Sequence, residues 1–483
     1  MAGAGWASAL RGVLAAPLIA VCLMPVRVLA QDLGSEGSSG FGNADDYPIP
    51  STAHEAYSPI GEGFTSPLDP RAELKGPKPY VDERAARLKA GRQNESPFFR
   101  DTELELNSRS YWFQADDFGL DKPKALTSGG SLSYQSGYLA DFLQLRGTLY
   151  TSQPLYAPEG AGATLNLTLD GDEITTLGQA NARVKFLGQE LTAGRELVRT
   201  PYINPNDDRM IPNTFEGIVL LPEGYGDRSL DYIASYLWRY KPRDTSQFIP
   251  FTEPLGVGQD EGVLINGAHY RTANFNMGLV NYWIKDAMNT AYGELDYTLP
   301  VGGGDVGPSF RLGLNDIDQR SVGEELIPGS PFETFQASGR LIASYRGFVL
   351  TGAISRVGRD AAFRKPYGWS PAFTAMKISS FQRAGEAGAL ARLSYDFSHM
   401  GFKGLTFYVS LGRGVDAIDA KTGAPLPDRD ELDLRLEYEP HGGALEGLRV
   451  QLDYIDERLI GSPTPSDDLR QFRAVVNYVV PLL

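Results

Sequence analysis

The chain has 483 residues, with 45 Lys and Arg against 60 Asp and Glu for a formal net charge of −15, and its one cysteine is Cys22. An acidic balance of this size argues against a nucleic-acid binder, which needs a basic surface to meet phosphates. Beyond the N-terminal segment that holds Cys22 no cysteine remains, so the rest of the chain can build neither a disulfide nor a thiolate metal site.

In chain order, residues 1–30 stand apart first. Arg11 is the only charge before an apolar run from Gly12 to Val26. That run is about 15 residues, short of the roughly 20 that cross a bilayer as a helix. Val28-Leu29-Ala30 ends it with a small-residue cleavage site, so residues 1–30 read as a signal peptide cut after Ala30. Residues 31–100 are rich in Gly, Ser, Pro and charge and show little apolar periodicity, the composition of a flexible periplasmic extension. Within it only Val81 to Ala90 has helical propensity. Past residue 30 no apolar stretch is long enough for a transmembrane helix, which leaves a closed barrel as the only way to span a membrane.

Residues 101–483 change texture, to segments of alternating apolar and polar residues separated by Gly, Pro, Asn and Asp. Ala391, Leu393, Tyr395 and Phe397 share one face and Arg392, Ser394 and Asp396 the other. Leu432, Leu434, Leu436 and Tyr438 oppose Asp433, Arg435 and Glu437, while Leu448, Val450, Leu452 and Tyr454 oppose Arg449, Gln451 and Asp453. A last strand alternates Phe472, Ala474, Val476, Tyr478, Val480 and Leu482 with Gln471, Arg473, Val475, Asn477 and Val479. A soluble β-sandwich shares such alternation. Export, the missing cysteines, and 54 glycines with 24 tyrosines and 23 phenylalanines favour an all-β, transmembrane antiparallel β-barrel with its apolar side outward. No motif recurs at a fixed period, as a propeller or solenoid requires.

Several stretches resemble the OprD family of substrate-selective outer-membrane channels. The most specific is Asn206-Asp207-Asp208-Arg209-Met210-Ile211-Pro212-Asn213-Thr214-Phe215-Glu216-Gly217. Others are Ser108-Arg109-Ser110-Tyr111-Trp112-Phe113, Tyr134-Gln135-Ser136-Gly137-Tyr138, Asn289-Thr290-Ala291-Tyr292, and Gly404-Leu405-Thr406-Phe407 after Ala391-Arg392. The resemblance implies 18 strands and a loop, roughly Arg199 to Glu216, folded into the lumen to narrow it. It places constriction arginines at Arg109 and Arg392, puts Asp207, Asp208 and Arg209 on the inward loop, and leaves a third arginine position occupied by Ser410. Arg413 is close by, but alternation sets it on the opposite face.

Alternation independently offers Arg183, Lys185 and Arg435 as lumen residues that guide anions, since a guanidinium stays charged and grips two carboxylate oxygens at once. Asp260-Glu261 and Asp428-Arg429-Asp430-Glu431 read as solvated loop acids. The chain's four histidines, His54, His269, His399 and His441, fit no zinc spacing. There is no nucleophile elbow, and Gly302-Gly303-Gly304 reads as a turn rather than a phosphate loop. The expected function is therefore non-enzymatic and cofactor-free: passive, selective diffusion of small carboxylates through the outer membrane. Alternatives are a general diffusion porin, a soluble β-protein that binds polymers, and a membrane-embedded hydrolase. Expected partners are outer-membrane lipid and lipopolysaccharide and small anionic or zwitterionic solutes, with no nucleic acid; the chain is expected as a monomer or loose trimer.

Overall fold

The computed structural model describes residues 88–116, 122–225, 229–301, 309–440, 445–461 and 468–483. The expected signal peptide, most of the expected extension and Gly302-Gly303-Gly304 lie outside the described residues. A short helix, α1 (Pro97–Arg100), precedes the strands.

Alternation translates into 18 antiparallel strands: β1 (Glu103–Asp116), β2 (Lys124–Gln135), β3 (Leu143–Tyr156), β4 (Ile174–Phe186), β5 (Gln189–Glu196), β6 (Thr214–Pro222), β7 (Leu230–Lys241), β8 (Val263–Arg271), β9 (Phe275–Ile284), β10 (Met288–Pro300), β11 (Ser309–Ser321), β12 (Glu333–Tyr345), β13 (Phe348–Val357), β14 (Ala387–Asp396), β15 (Leu405–Val415), β16 (Asp428–Tyr438), β17 (Leu448–Ile460) and β18 (Leu469–Pro481). A two-residue strand, Ile249–Pro250, pairs with the end of β7. Each strand pairs with its neighbours in sequence, and β18 returns to pair with β1, Trp112 opposite Ala474 and Arg109 opposite Asn477. Closure matters because an open edge would leave amides and carbonyls without partners in lipid.

The two faces separate as the sequence predicts. Leu279, Leu312, Leu350, Leu393, Leu411 and Phe472 are exposed on the outside, whereas Glu431, Asp433, Arg435, Asp453 and Arg473 are buried on the inside. Arg413 faces outward and sits opposite Asp430. One expectation fails: Asp428 to Glu431 are not loop residues but the start of β16, and Glu431 is buried against the lumen. Its neighbours in sequence are charged on both faces, so the residues carried no apolar mark of a strand.

Connections at the end that holds α1 and the C-terminus are tight, for example Leu187-Gly188 between β4 and β5 and Arg346-Gly347 between β12 and β13. The longest connections, 157–173, 197–213, 242–262 and 358–386, all leave the opposite end. Three of them fold back inside, where Tyr202, Phe251 and Tyr367 are fully buried in the largest apolar cluster.

Candidate functional site

Loop 197–213 is fastened inside the barrel by its charges. Arg109 of β1 grips Asp207 with both terminal nitrogens, at 2.6 and 3.1 Å, and donates from Nε to Asn477 of β18 at 2.8 Å. Asp208 is the deeper anchor. Its carboxylate meets Arg209 at 2.7 Å, Arg473 of β18 at 3.6 Å, and Arg243 from loop 242–262. Asp208, Arg209 and Arg473 are each about 1% exposed. Burial alone would raise the Asp208 carboxyl, but Arg209, Arg243, Arg473 and Lys377 outweigh it and hold the group below its ordinary range. Arg209 also donates to the carbonyl of Thr164 at 2.9 Å and lies over the Phe113 ring. The loop ends at Asn213, earlier than expected. Glu216 belongs to β6 and turns to the other face, where it pairs with Arg195 at 2.9 Å and accepts from Trp238.

Loop 358–386 also enters the lumen, which no sequence signal had marked. It is held through its backbone: the amides of Ile378 and Ser379 donate to the Glu431 carboxylate at 2.9 and 2.6 Å, and the amide of Lys377 reaches Asp433 at 3.3 Å. Phe381 and Met376 fill a socket in the wall of β14 and β15. A Cβ at Gly412 would stand 1.9 Å from the Met376 sulfur, and one at Gly414 would stand 2.5 Å from the Phe381 ring. The two loops touch where Asn204 accepts from the Trp369 amide at 3.1 Å, and Tyr202 packs edge-on against Tyr367 with centroids 5.9 Å apart. Gly368 permits that contact, since a Cβ there would lie 2.4 Å from the Asn204 side chain.

The wall that these loops dock against is polar. One cross-strand row carries Ser394, Tyr408, Arg435, Asp453, Arg473 and Phe113 across β14 to β18 and onto β1. Arg435 is bound bidentately to Asp453 at 2.7 and 3.1 Å, and Lys377 approaches the same carboxylate at 3.5 Å. Arg392 is different. Its Nε donates to Ser410 at 2.5 Å, and its guanidinium lies 5.0 Å from the Tyr408 ring centroid. Among the described residues no carboxylate pairs with it, although the side chain is half-buried.

The remaining candidates sit elsewhere. Arg183 lines a cavity of about 170 Å³ toward the short-turn end and is bound to Glu196 at 3.2 Å and Glu190 at 3.8 Å. Lys185 is at that rim, paired with Glu223 at 2.9 Å and lying over Tyr138. Thus Asp207, Asp208, Arg209 and Arg109 gather at one loop, Arg392 and Arg435 share Tyr408, and Arg183 and Lys185 belong to the other half of the lumen. Sequence reasoning missed Lys377, Arg243, Arg473 and Glu431. Arg473 and Glu431 alternate correctly for lumen residues, whereas Lys377 and Arg243 lie in loops without periodicity.

A closed antiparallel barrel with an apolar outer band, a charged lumen and loops folded into it defines an outer-membrane channel. The chain belongs to the OprD family: the model described as outer membrane porin, OprD family, matches residues 96–482. OpdK of Pseudomonas aeruginosa, solved with vanillate, is similar in structure with a TM-score of 0.70 at 24% identity, covering 80% of this chain and 100% of that one. A BenF-like porin of Pseudomonas fluorescens Pf-5 gives 0.70 at 19% identity, with 80% and 100% covered. OccAB2 of Acinetobacter baumannii gives 0.70 at 20% identity over the same shares. Among curated proteins none matches the sequence. Family and fold are those of channel proteins, and the long connections are therefore the extracellular ones.

Proposed function

We propose that this porin passes small carboxylates selectively, with Arg392 as the group that meets the solute. The observation that carries this is its pairing. Most lumen arginines, such as Arg109, Arg183, Arg209 and Arg435, already have a carboxylate in ion-pair contact, whereas Arg392 is held by Ser410 and Tyr408 and has no carboxylate in ion-pair contact among the described residues. A guanidinium fixed by a neutral hydroxyl and an aromatic face keeps its charge for a passing anion, and its planar fork suits two carboxylate oxygens. Asp207, Asp208, Arg109 and Arg209 position the inward loop, and Arg435, Arg183 and Lys185 brace the wall. OpdK, a fold relative, is described with vanillate, itself an aromatic carboxylate. Export through cleavage after Ala30 completes the reading.

The test is single-channel conductance of the refolded chain in a planar bilayer, titrated with aromatic and aliphatic carboxylates. Small openings blocked by a carboxylate, with block weakened about ten- to a hundredfold in Arg392→Ala, are expected; one desolvated charge-assisted contact contributes about 1.5–3 kcal/mol. Large openings indifferent to every carboxylate and to the substitution would instead indicate a general diffusion porin.

A further inference from the structure

We propose that the outer face of β15 to β18, at the extracellular rim, binds the phosphate groups of a glycolipid in the outer leaflet. The strand register builds this strip. Arg413, Asp430 and Arg458 form one outward row across β15, β16 and β17. One step toward the membrane, Leu432 of β16, Asp456 of β17, Arg470 of β18 and Asp116 of β1 form the next. Leu411 continues the second row beside Leu432, and beneath it the face turns apolar, with Tyr454 and Phe472 exposed on the same side. Cations thus stand where acyl chains end and headgroups begin.

The three guanidiniums are only partly engaged. Arg413 lies 3.8 Å from Asp428 and 3.7 Å from Asp430 and remains 57% exposed. Arg458 is 56% exposed and Arg470 54%, and both turn to the same Asp456, at 2.8 and 3.7 Å. Two other arginines of the outer face are more covered: Arg195 is 37% exposed beside Glu216, and Arg239 is 38% exposed beside Asp260. Arg413 and Arg458 flank Asp430 on alternate strands, two interstrand spacings or about 10 Å apart. Phosphates can occupy the guanidiniums bidentately. The intervening carboxylates then face the divalent cations that accompany closely packed phosphates, and alternating sign along the strip fits such a lattice better than it fits an isolated anion. The occupant is a phosphorylated glycolipid, because only the extracellular leaflet meets this rim and the apolar band below it takes the acyl chains.

The experiment measures retention of lipopolysaccharide by the full barrel in detergent, by native mass spectrometry, using intact lipopolysaccharide, the same material stripped of phosphate, and phosphatidylglycerol as competitor. Intact lipopolysaccharide is expected to be retained, loss of its phosphates to lower retention at least tenfold, and the combined Arg413→Ala, Arg458→Ala, Arg470→Ala variant to do the same with single-channel conductance unchanged. Equal retention after phosphate removal, or equal retention by the triple variant, would overturn the proposal. Displacement by equimolar phosphatidylglycerol would overturn the glycolipid in favour of an ordinary phospholipid headgroup. The comparison of phosphorylated and stripped lipid on the unaltered chain decides the matter even if the triple variant does not fold.

Discussion

Asp207 and Asp208 are neighbours on one loop, yet replacing each by Asn should have very different consequences. Asp208 is about 1% exposed and serves Arg209, Arg473 and Arg243, two of which are as buried as it is. Asp208→Asn keeps the shape but removes the negative charge that these buried guanidiniums share. Breaking a buried pair from one side costs about 3–5 kcal/mol, which shifts the docked-to-released balance of loop 197–213 by roughly two to four powers of ten. Asp207 is 29% exposed and its partner Arg109 keeps Asn477, so solvent screens much of its pair. Asp207→Asn should therefore cost about 1 kcal/mol, less than a tenfold change. The assay is paired: open-channel current noise in a bilayer, and trypsin cleavage within 197–213 on intact folded barrel. Asp208→Asn is expected to give larger, flickering currents and rapid cleavage, and Asp207→Asn to stay close to the parent. A quiet, protease-resistant Asp208→Asn channel would refute the anchoring argument.

Other expectations follow from the same contacts. Because the Asp208 carboxyl is held below its ordinary 3.8, its anchoring is present above that range and is lost only as pH falls through the depressed value. Bilayer currents should therefore keep the same noise from neutral pH down to about pH 4 and become unstable only below it. Arg435→Ala, which strips Asp453 of its bidentate partner but leaves Lys377 nearby, should destabilise the barrel by the lower end of about 3–5 kcal/mol, read as a drop in thermal midpoint in detergent, whereas Arg392→Ala breaks no ion-pair contact and should lower the midpoint much less. Glu431→Ala orphans the amides of Ile378 and Ser379, at about 1–3 kcal/mol each, and hydrogen exchange at those two amides should rise without loss of the barrel.

The barrel was legible because lipid and water impose a period of two on every strand, so residues such as Leu432 and Asp433 declare their faces by themselves. Loop 197–213 was legible through a dense motif, although its end was set three residues too late at Glu216 because nothing in Thr214-Phe215-Glu216 announces where pairing begins. Loop 358–386 was invisible. Its anchors are backbone amides, which no side chain reports, and its socket is made by the absence of side chains at Gly412 and Gly414. Pairing was equally hidden: alternation puts Arg392 and Arg435 on the lumen face alike, but only the fold shows Asp453 beside one and Ser410 beside the other.

The manner in which Glu431 and Asp433 grip loop 358–386 separates holding from recognition. The wall seizes backbone N–H groups that every residue type except proline possesses, so the amides of 377–379 stay tethered whichever other side chains those positions display. A chain built this way can exchange the chemistry lining its throat without redesigning the clasp, and the clasp can be tuned from the barrel side alone. Grafting a different loop sequence between Val357 and Ala387 while keeping the wall intact is thus a route to new selectivity within an unchanged frame.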